Sequence, residues 1–254
     1  MSKPSIAICA IAKDEDLYID EWIRYHLKLG IDDIYIFQNN WTYSGSMTEH
    51  FGVHFYSQDG EVQQLPAYNR FLGNKQMWIR EHDWVAFIDI DEFICMRSKV
   101  SLLEVLQMRR ECPSLAVNWR MFGSSGLHYD GTEHSVLKRF TKCCKSLNRH
   151  VKQIVNLNMI PKSALMLNPH FGNFMSFNQE GHRVIGPYNR ENLDKVHDIE
   201  LNHYCVKTPE ECRMKVSRGR ADMPAHRDNE DDKFFKEFDL NEVENTAARD
   251  FMLS

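Results

Sequence analysis

The chain has 254 residues, 43% hydrophobic and 26% charged, an ordinary globular composition with length for one large domain or two small ones. A formal net charge of −5 excludes a global basic field that would draw the chain onto nucleic acid or an anionic membrane. No apolar run reaches the roughly 18 residues of a membrane span, and the seven cysteines form no C-x-x-C pair and include the adjacent Cys143 and Cys144, so neither a disulfide framework nor a zinc site is signalled.

The first apolar stretch, "IAICAIA" (Ile6 to Ala12), ends in charges. It is too short for a signal peptide and reads as the first buried strand of a cytosolic protein with reduced, structural thiols. In "DEDLYIDEWIRYHLKLG", Ile19, Trp22, Ile23, His26 and Leu27 recur at helical spacing, with Asp14 or Asp16 as cap and Gly30 as stop. Strands "IYIFQ" and "VHFY" follow, each ending in a polar, turn-rich loop. A helix from roughly Pro66 to Glu81 then leads into "WVAFI". This β-α-β-β-α-β order predicts an α/β fold: a mainly parallel central sheet flanked by helices, with ligands beyond the carboxyl ends of the strands.

In the second half "SLAVNWRMF", "VLKRFT", "HVKQIVNL" and "IELNHYCV" are strand-like and read as extra strands and long loops on the same sheet. Thr208-Pro209-Glu210-Glu211 is a capping box with proline at the first helical position, so a helix should run from Pro209 to about Arg218 and stop at Gly219. The charged tail from Asp228, with scattered aromatics, reads as one or two surface helices.

The stretch "WVAFIDIDEF" runs from a core-like strand into three carboxylates. Alternation along a strand puts Asp89 and Asp91 on one side. Two like charges held together need a cation or hydrogen-bond donors, and such oxygens suit Mg²⁺ or Mn²⁺ holding a diphosphate. The competing reading is that Asp91 or Glu92 caps the next turn.

Together with "AICAIAKDEDLYIDEWIRYHLKLGIDDIYIFQNN", "AYNRF", "NWRMFGSSG", "LKRF" and "LNHYCVKTPEECRMKVSRGRAD", this stretch resembles the glycosyltransferases of the family 2-like and family 92 group, from about residue 5 to residue 222. The resemblance implies a single GT-A (Rossmann-like) domain over 1–254. Residues 1–97 would form the nucleotide-sugar half, 98–225 the acceptor half and 226–254 a helical tail. It implies a metal-dependent, inverting transfer of a hexose from a UDP-sugar to a glycan or glycolipid hydroxyl, in surface polysaccharide or lipopolysaccharide synthesis. The enzyme would be cytoplasmic and reach the inner face of the membrane through its acceptor.

For the donor, the resemblance points to Ala12, Lys13 and Glu15 after the first strand and Gln38, Asn39 and Asn40 after the second. Asn amides pair with a uracil edge or ribose, and equally form turns. Tyr68 and Asn69 would approach the nucleoside, with Tyr68 equally a core residue. Asp91 would ligate Mn²⁺ or Mg²⁺ directly, Asp89 would face the ribose or make a second metal contact, and His203 would be the third ligand. Lys207, Lys215 and Arg218 lie around the helix from Pro209, where a cation would neutralise the departing diphosphate; a solvated helix face is the competing reading. Gly123, Ser124 and Ser125 of "FGSSG" would sit beside the sugar. His170, with Phe171, Phe174 or Trp119, would meet the acceptor, with core packing of those aromatics as the competing reading. The general base falls to Asp222, with Asp130, Glu133 and Glu180 as alternatives. Two other readings are a nucleotidyl- or phosphotransferase and a sugar- or nucleotide-binding module without catalysis.

Overall fold

The protein is described by a computed structural model covering residues 3–79, 81–219 and 231–254. The first half follows the expected order: β1 (Ile6–Ala12), α1 (Ile19–Leu29), β2 (Asp33–Gln38), β3 (Val53–Ser57), α2 (Gln64–Gly73) and β4 (Trp84–Phe87). β1 lies between β2 and β4, with β3 outside β2, and all four strands are parallel. β1 is buried along its whole length, and alternation divides it between two layers. Ile6, Ile8 and Ala10 pack with Ile19, Trp22 and Ile23 of α1, while Ala7, Cys9 and Ile11 pack with Ala67, Tyr68 and Phe71 of α2.

The second half comprises β5 (Glu92–Met96), α3 (Leu102–Met108), β6 (Ser114–Met121), α4 (Val136–Arg139), β7 (Lys142–Cys143), β8 (Val151–Asn156), β9 (Met166–Asn168), β10 (Phe171–Gly172), β11 (Ser176–Phe177), β12 (Arg183–Val184), β13 (Ile199–His203), α5 (Pro209–Ser217), α6 (Asp231–Phe238), β14 (Val243–Glu244) and α7 (Ala247–Leu253). The expected mainly parallel sheet is instead mixed. β8 runs antiparallel between β4 and β6, and β13 is parallel to β6 but antiparallel to β5. Helical crossovers enforce parallel pairing, and the second half has few helices between its strands, so the chain returns antiparallel.

Local differences have local causes. Helix α2 ends at Gly73 rather than near residue 81, because Asn74 accepts a bond from the Gln76 amide and starts a short 3₁₀ turn. Neither Asp14 nor Asp16 caps α1: Tyr18 is the cap residue, without a side-chain bond, and Asp16 accepts from the Trp41 indole at 2.8 Å. Gly30 does end α1, in the left-handed conformation. The stretch "VLKRFT" begins as a helical turn, because the Ser135 hydroxyl accepts from the Lys138 amide and caps α4. Helix α5 carries the expected box, with Thr208 and Glu211 bonding each other's backbone. α3 carries the same device at Ser101 and Glu104, a signal present in the sequence but overlooked. All seven cysteines are free, and six are buried. Among the described residues, no helix is long and apolar enough to cross a membrane.

Candidate donor and metal site

Strand β4 ends at Phe87. Asp89 and Asp91 therefore stand in the turn between β4 and β5 rather than on one face of a strand, as alternation had predicted. The turn closes on itself: the Glu92 amide donates to the Asp89 carbonyl at 3.1 Å, and the Asp89 amide donates to Glu92 Oε2 at 2.9 Å.

Each aspartate is held by a different lysine. Lys152 of β8, 1% exposed, donates to Asp89 Oδ2 at 2.9 Å and lies 3.8 Å from Glu92 Oε1. Gln64 and Tyr68 of α2 donate to Asp89 Oδ1. Lys215 of α5 pairs with Asp91 Oδ2, and His203, at the end of β13, places Nε2 3.6 Å from Asp91 Oδ1. Burial opposes ionisation at Asp89, yet the Lys152 ammonium brings its pKa below the usual carboxylate value. Burial is likewise outweighed at Asp91 by Lys215 and His203, and its pKa falls well below that value. Glu92 goes the other way: burial dominates over Lys152 and keeps its carboxyl protonated far above the usual range. Burial lowers the pKa of His203 against the pull of Asp91, favouring neutral imidazole.

The other cations gather where the ends of β1 and β13 meet α5. Arg218 pairs with Glu15 and donates to the Asp14 carbonyl. Lys207, 4% exposed, lies 4.4 Å from the centre of the Tyr18 ring. Its φ of +53° is a left-handed conformation rare outside glycine, and such strain gathers at functional sites.

Other sequence-selected residues are committed elsewhere. The Asn39 amide reaches across to Ala12 O at 2.8 Å, so the ends of β2 and β1 do meet. The Asn39 side chain is buried, however, and donates to the Gln58 and Gly60 carbonyls. Asn40 bonds the Gly60 backbone, and Gln38 accepts from the Tyr43 amide. Lys13 is half-buried at the β1 exit. Asn69, expected near the nucleoside, instead ties α2 to β9 by bonding both N–H and C=O of Met166. The amides of Ser124 and Ser125, expected beside the sugar, donate to Asp239 and Asn241. A Cβ added at Gly123 would meet Asn241 at 2.5 Å, so this loop is a packed seam rather than a cradle.

Of the alternative bases, Glu180 stands away from Asp91. Glu180 pairs with Lys195 and His197 next to Gln179, which bonds Ile199 at the start of β13. That is the opposite end from His203, about 13 Å along the strand. Asp130 and Glu133 are exposed and bond Thr132 and Ser135 within their own loop. Asp222 lies outside the described residues. His170 and Trp119 do come together: Trp119 is 9% exposed, 4.3 Å from His203 and 5.2 Å from His170 between ring centres. Phe174 packs beside Gly172, and Phe171 opens β10.

Neighbouring ligands on Mg²⁺, at about 2.1 Å from the metal, stand roughly 3 Å apart, near the 3.6 Å between Asp91 and His203. Among the described residues, no three His, Cys, Asp or Glu side chains form a ready metal group. One carboxylate and an imidazole fit an ion completed by substrate phosphates and water, the manner in which Mg²⁺ is commonly held.

No protein-family model matches the chain. A rice protein (Oryza sativa subsp. japonica) named as a glycosyltransferase family 92 protein is 25% identical over 189 residues, 66% of this chain and 29% of that protein. A castor bean protein (Ricinus communis) of the same family name is 22% identical over 236 residues, 84% of this chain and 37% of that protein. The chain thus spans about a third of the length of these relatives. The crystal structure of HddC from Yersinia pseudotuberculosis aligns at a TM-score of 0.33 and 10% identity over 60% of this chain and 73% of that one, too weak to bear on the fold. The chain is thus similar, at low identity, to proteins that carry the glycosyltransferase family 92 name.

Proposed function

We propose that the chain moves a hexose from a UDP-sugar to a hydroxyl of a glycan or glycolipid acceptor, with inversion, in building a surface polysaccharide or lipopolysaccharide. The observation that carries this reading is the pairing of Asp91, just past β4, with His203, at the end of β13, at 3.6 Å, in a chain distantly related to named glycosyltransferases. Asp91 and His203 would hold Mn²⁺ or Mg²⁺, with Asp89 turned to the ribose or a second contact. The bound ion would offset the charge of the leaving diphosphate. Within the chain, Lys215 keeps Asp91 ionised, and Lys207, Lys215 and Arg218 supply positive charge where a diphosphate would lie. Lys215 can pass from Asp91 to a phosphate oxygen without leaving either charge unpaired.

The test is to incubate the protein with UDP-, GDP- and ADP-hexoses in Mn²⁺, Mg²⁺ or EDTA and identify the phosphate product. Release of UDP, abolished by EDTA, supports the proposal. Release of pyrophosphate assigns a nucleotidyltransferase instead. UDP binding without any turnover assigns a binding module.

A further inference from the structure

We propose that His170 is the general base that removes the acceptor proton, a role that rests on the transferase reading above. The carboxylates of the acidic turn, and Glu15 beside it, are engaged or buried. Asp89 and Asp91 are ion-paired, Glu92 is fully buried, and Glu15 is paired with Arg218.

His170 sits between β9 and β10 with its backbone pinned on both sides. Its amide donates to Asn168 Oδ1 at 2.6 Å, and its carbonyl accepts from Gln153 Nε2 at 2.8 Å. The ring's described hydrogen bond runs from Nδ1 to the Val151 carbonyl at 2.9 Å. A carbonyl oxygen only accepts, so Nδ1 carries the proton and Nε2 presents a lone pair. His150 holds the same tautomer, because Asn148 Oδ1 accepts from both its backbone amide at 3.0 Å and its Nδ1 at 2.7 Å. Its ring lies nearly parallel to Trp119, 5.0 Å away and tilted by 25°, and completes an aromatic wall suited to the C–H face of a sugar. That wall links the base to the donor site: His170 lies 5.2 Å from Trp119, Trp119 lies 4.3 Å from His203, and His203 faces Asp91.

Burial, then the Lys152 ammonium, lower the His170 pKa to about 3, with Asp89 opposing and His150 adding slightly. This is close to an ordinary carboxylate at about 4, so Nε2 is free of its proton throughout the neutral range. As the acceptor oxygen bonds to the anomeric carbon, its proton passes to Nε2 and imidazolium forms. The anomeric C–O bond to the diphosphate breaks, its electron pair leaves with UDP, and the imidazolium returns the proton to solvent.

The experiment compares His170→Gln, His170→Ala and Asp222→Asn. It measures UDP release from UDP-glucose, UDP-galactose and their N-acetylated forms, to water and to added oligosaccharides. Calorimetric binding of UDP with Mn²⁺ is measured alongside. His170→Gln should lower kcat at least ~100-fold while leaving UDP affinity within about two-fold, and added imidazole should partly restore His170→Ala. Turnover of His170→Gln within about five-fold of native, or loss confined to Asp222→Asn, would overturn the assignment. A native protein that neither binds UDP nor releases it overturns the transferase reading itself, before any substitution is made.

Discussion

Replacing Lys152 by methionine isolates the physics of the acidic turn. The side chain is 1% exposed and its ammonium touches Asp89 at 2.9 Å, so methionine fills the space but leaves a carboxylate facing two neutral donors, Gln64 and Tyr68. Removing one partner of a buried pair costs about 3–5 kcal/mol. The Asp89 side chain is 31% exposed, which screens part of the loss and favours the lower end, about 3 kcal/mol. At a urea m-value near 3 kcal/mol/M, this lowers the unfolding midpoint by about 1 M. Lys152→Met with Asp89→Asn removes both charges and should recover most of the loss, because replacing both partners is far gentler than orphaning one. Equilibrium urea unfolding of native, single and double variants supplies the cycle. A single variant within 0.5 M of native, or a double variant no better than the single, would refute the claim that Lys152 is the counter-charge of this turn.

Two further outcomes concern the frame around the site. Glu211, 2% exposed, pairs with Arg139 and accepts from Tyr18. Its pKa falls from 4.5 to about 2 because the Arg139 and Tyr18 bonds outweigh burial. A carboxylate depressed in the folded state stabilises fully above its unfolded pKa and loses that contribution as pH falls through about 2. Glu211→Gln should therefore cost roughly 3 kcal/mol at pH 7 and little near pH 2, read from urea melts across that range. Gly123→Ala forces a Cβ against Asn241 and the Leu240 carbonyl and should cost about 1–3 kcal/mol. Thermal melts and UDP titration should show a lower Tm with unchanged nucleotide affinity, since the loop is a seam; weakened affinity at unchanged Tm would restore it as a sugar contact.

The first half of the fold was legible because pattern speaks directly: β1 is a continuous apolar run, as burial on both faces demands, and the apolar residues of α1 recur at the spacing of one buried face. Strand direction in the second half was not. β8 reads as an apolar strand either way, and only the path of the connecting loops makes it antiparallel to β4. Several strands there have just two residues, which exist through tertiary pairing and leave no pattern. At the site, the expected nearness of Asp91 and His203 is found at 3.6 Å, although a turn, not strand alternation, holds the acidic residues. Lys152 was missed because one lysine in "HVKQIVNL" looks like the solvent-facing step of a half-buried strand. Its signal was the surplus of carboxylates in "DIDE", which called for a buried cation. The serines of "FGSSG" misled because the acceptors of their amides, Asp239 and Asn241, lie more than a hundred positions away.

The central claim is that Asp91 anchors a metal-bound nucleoside diphosphate. The most direct measurement is the thermal shift of native protein and Asp91→Ala with UDP, with and without Mn²⁺. The account predicts that UDP raises the Tm of native protein only with Mn²⁺, by mass action on the folded state, and that Asp91→Ala abolishes the rise. An equal rise in both proteins, or none in native protein under any metal condition, would contradict it.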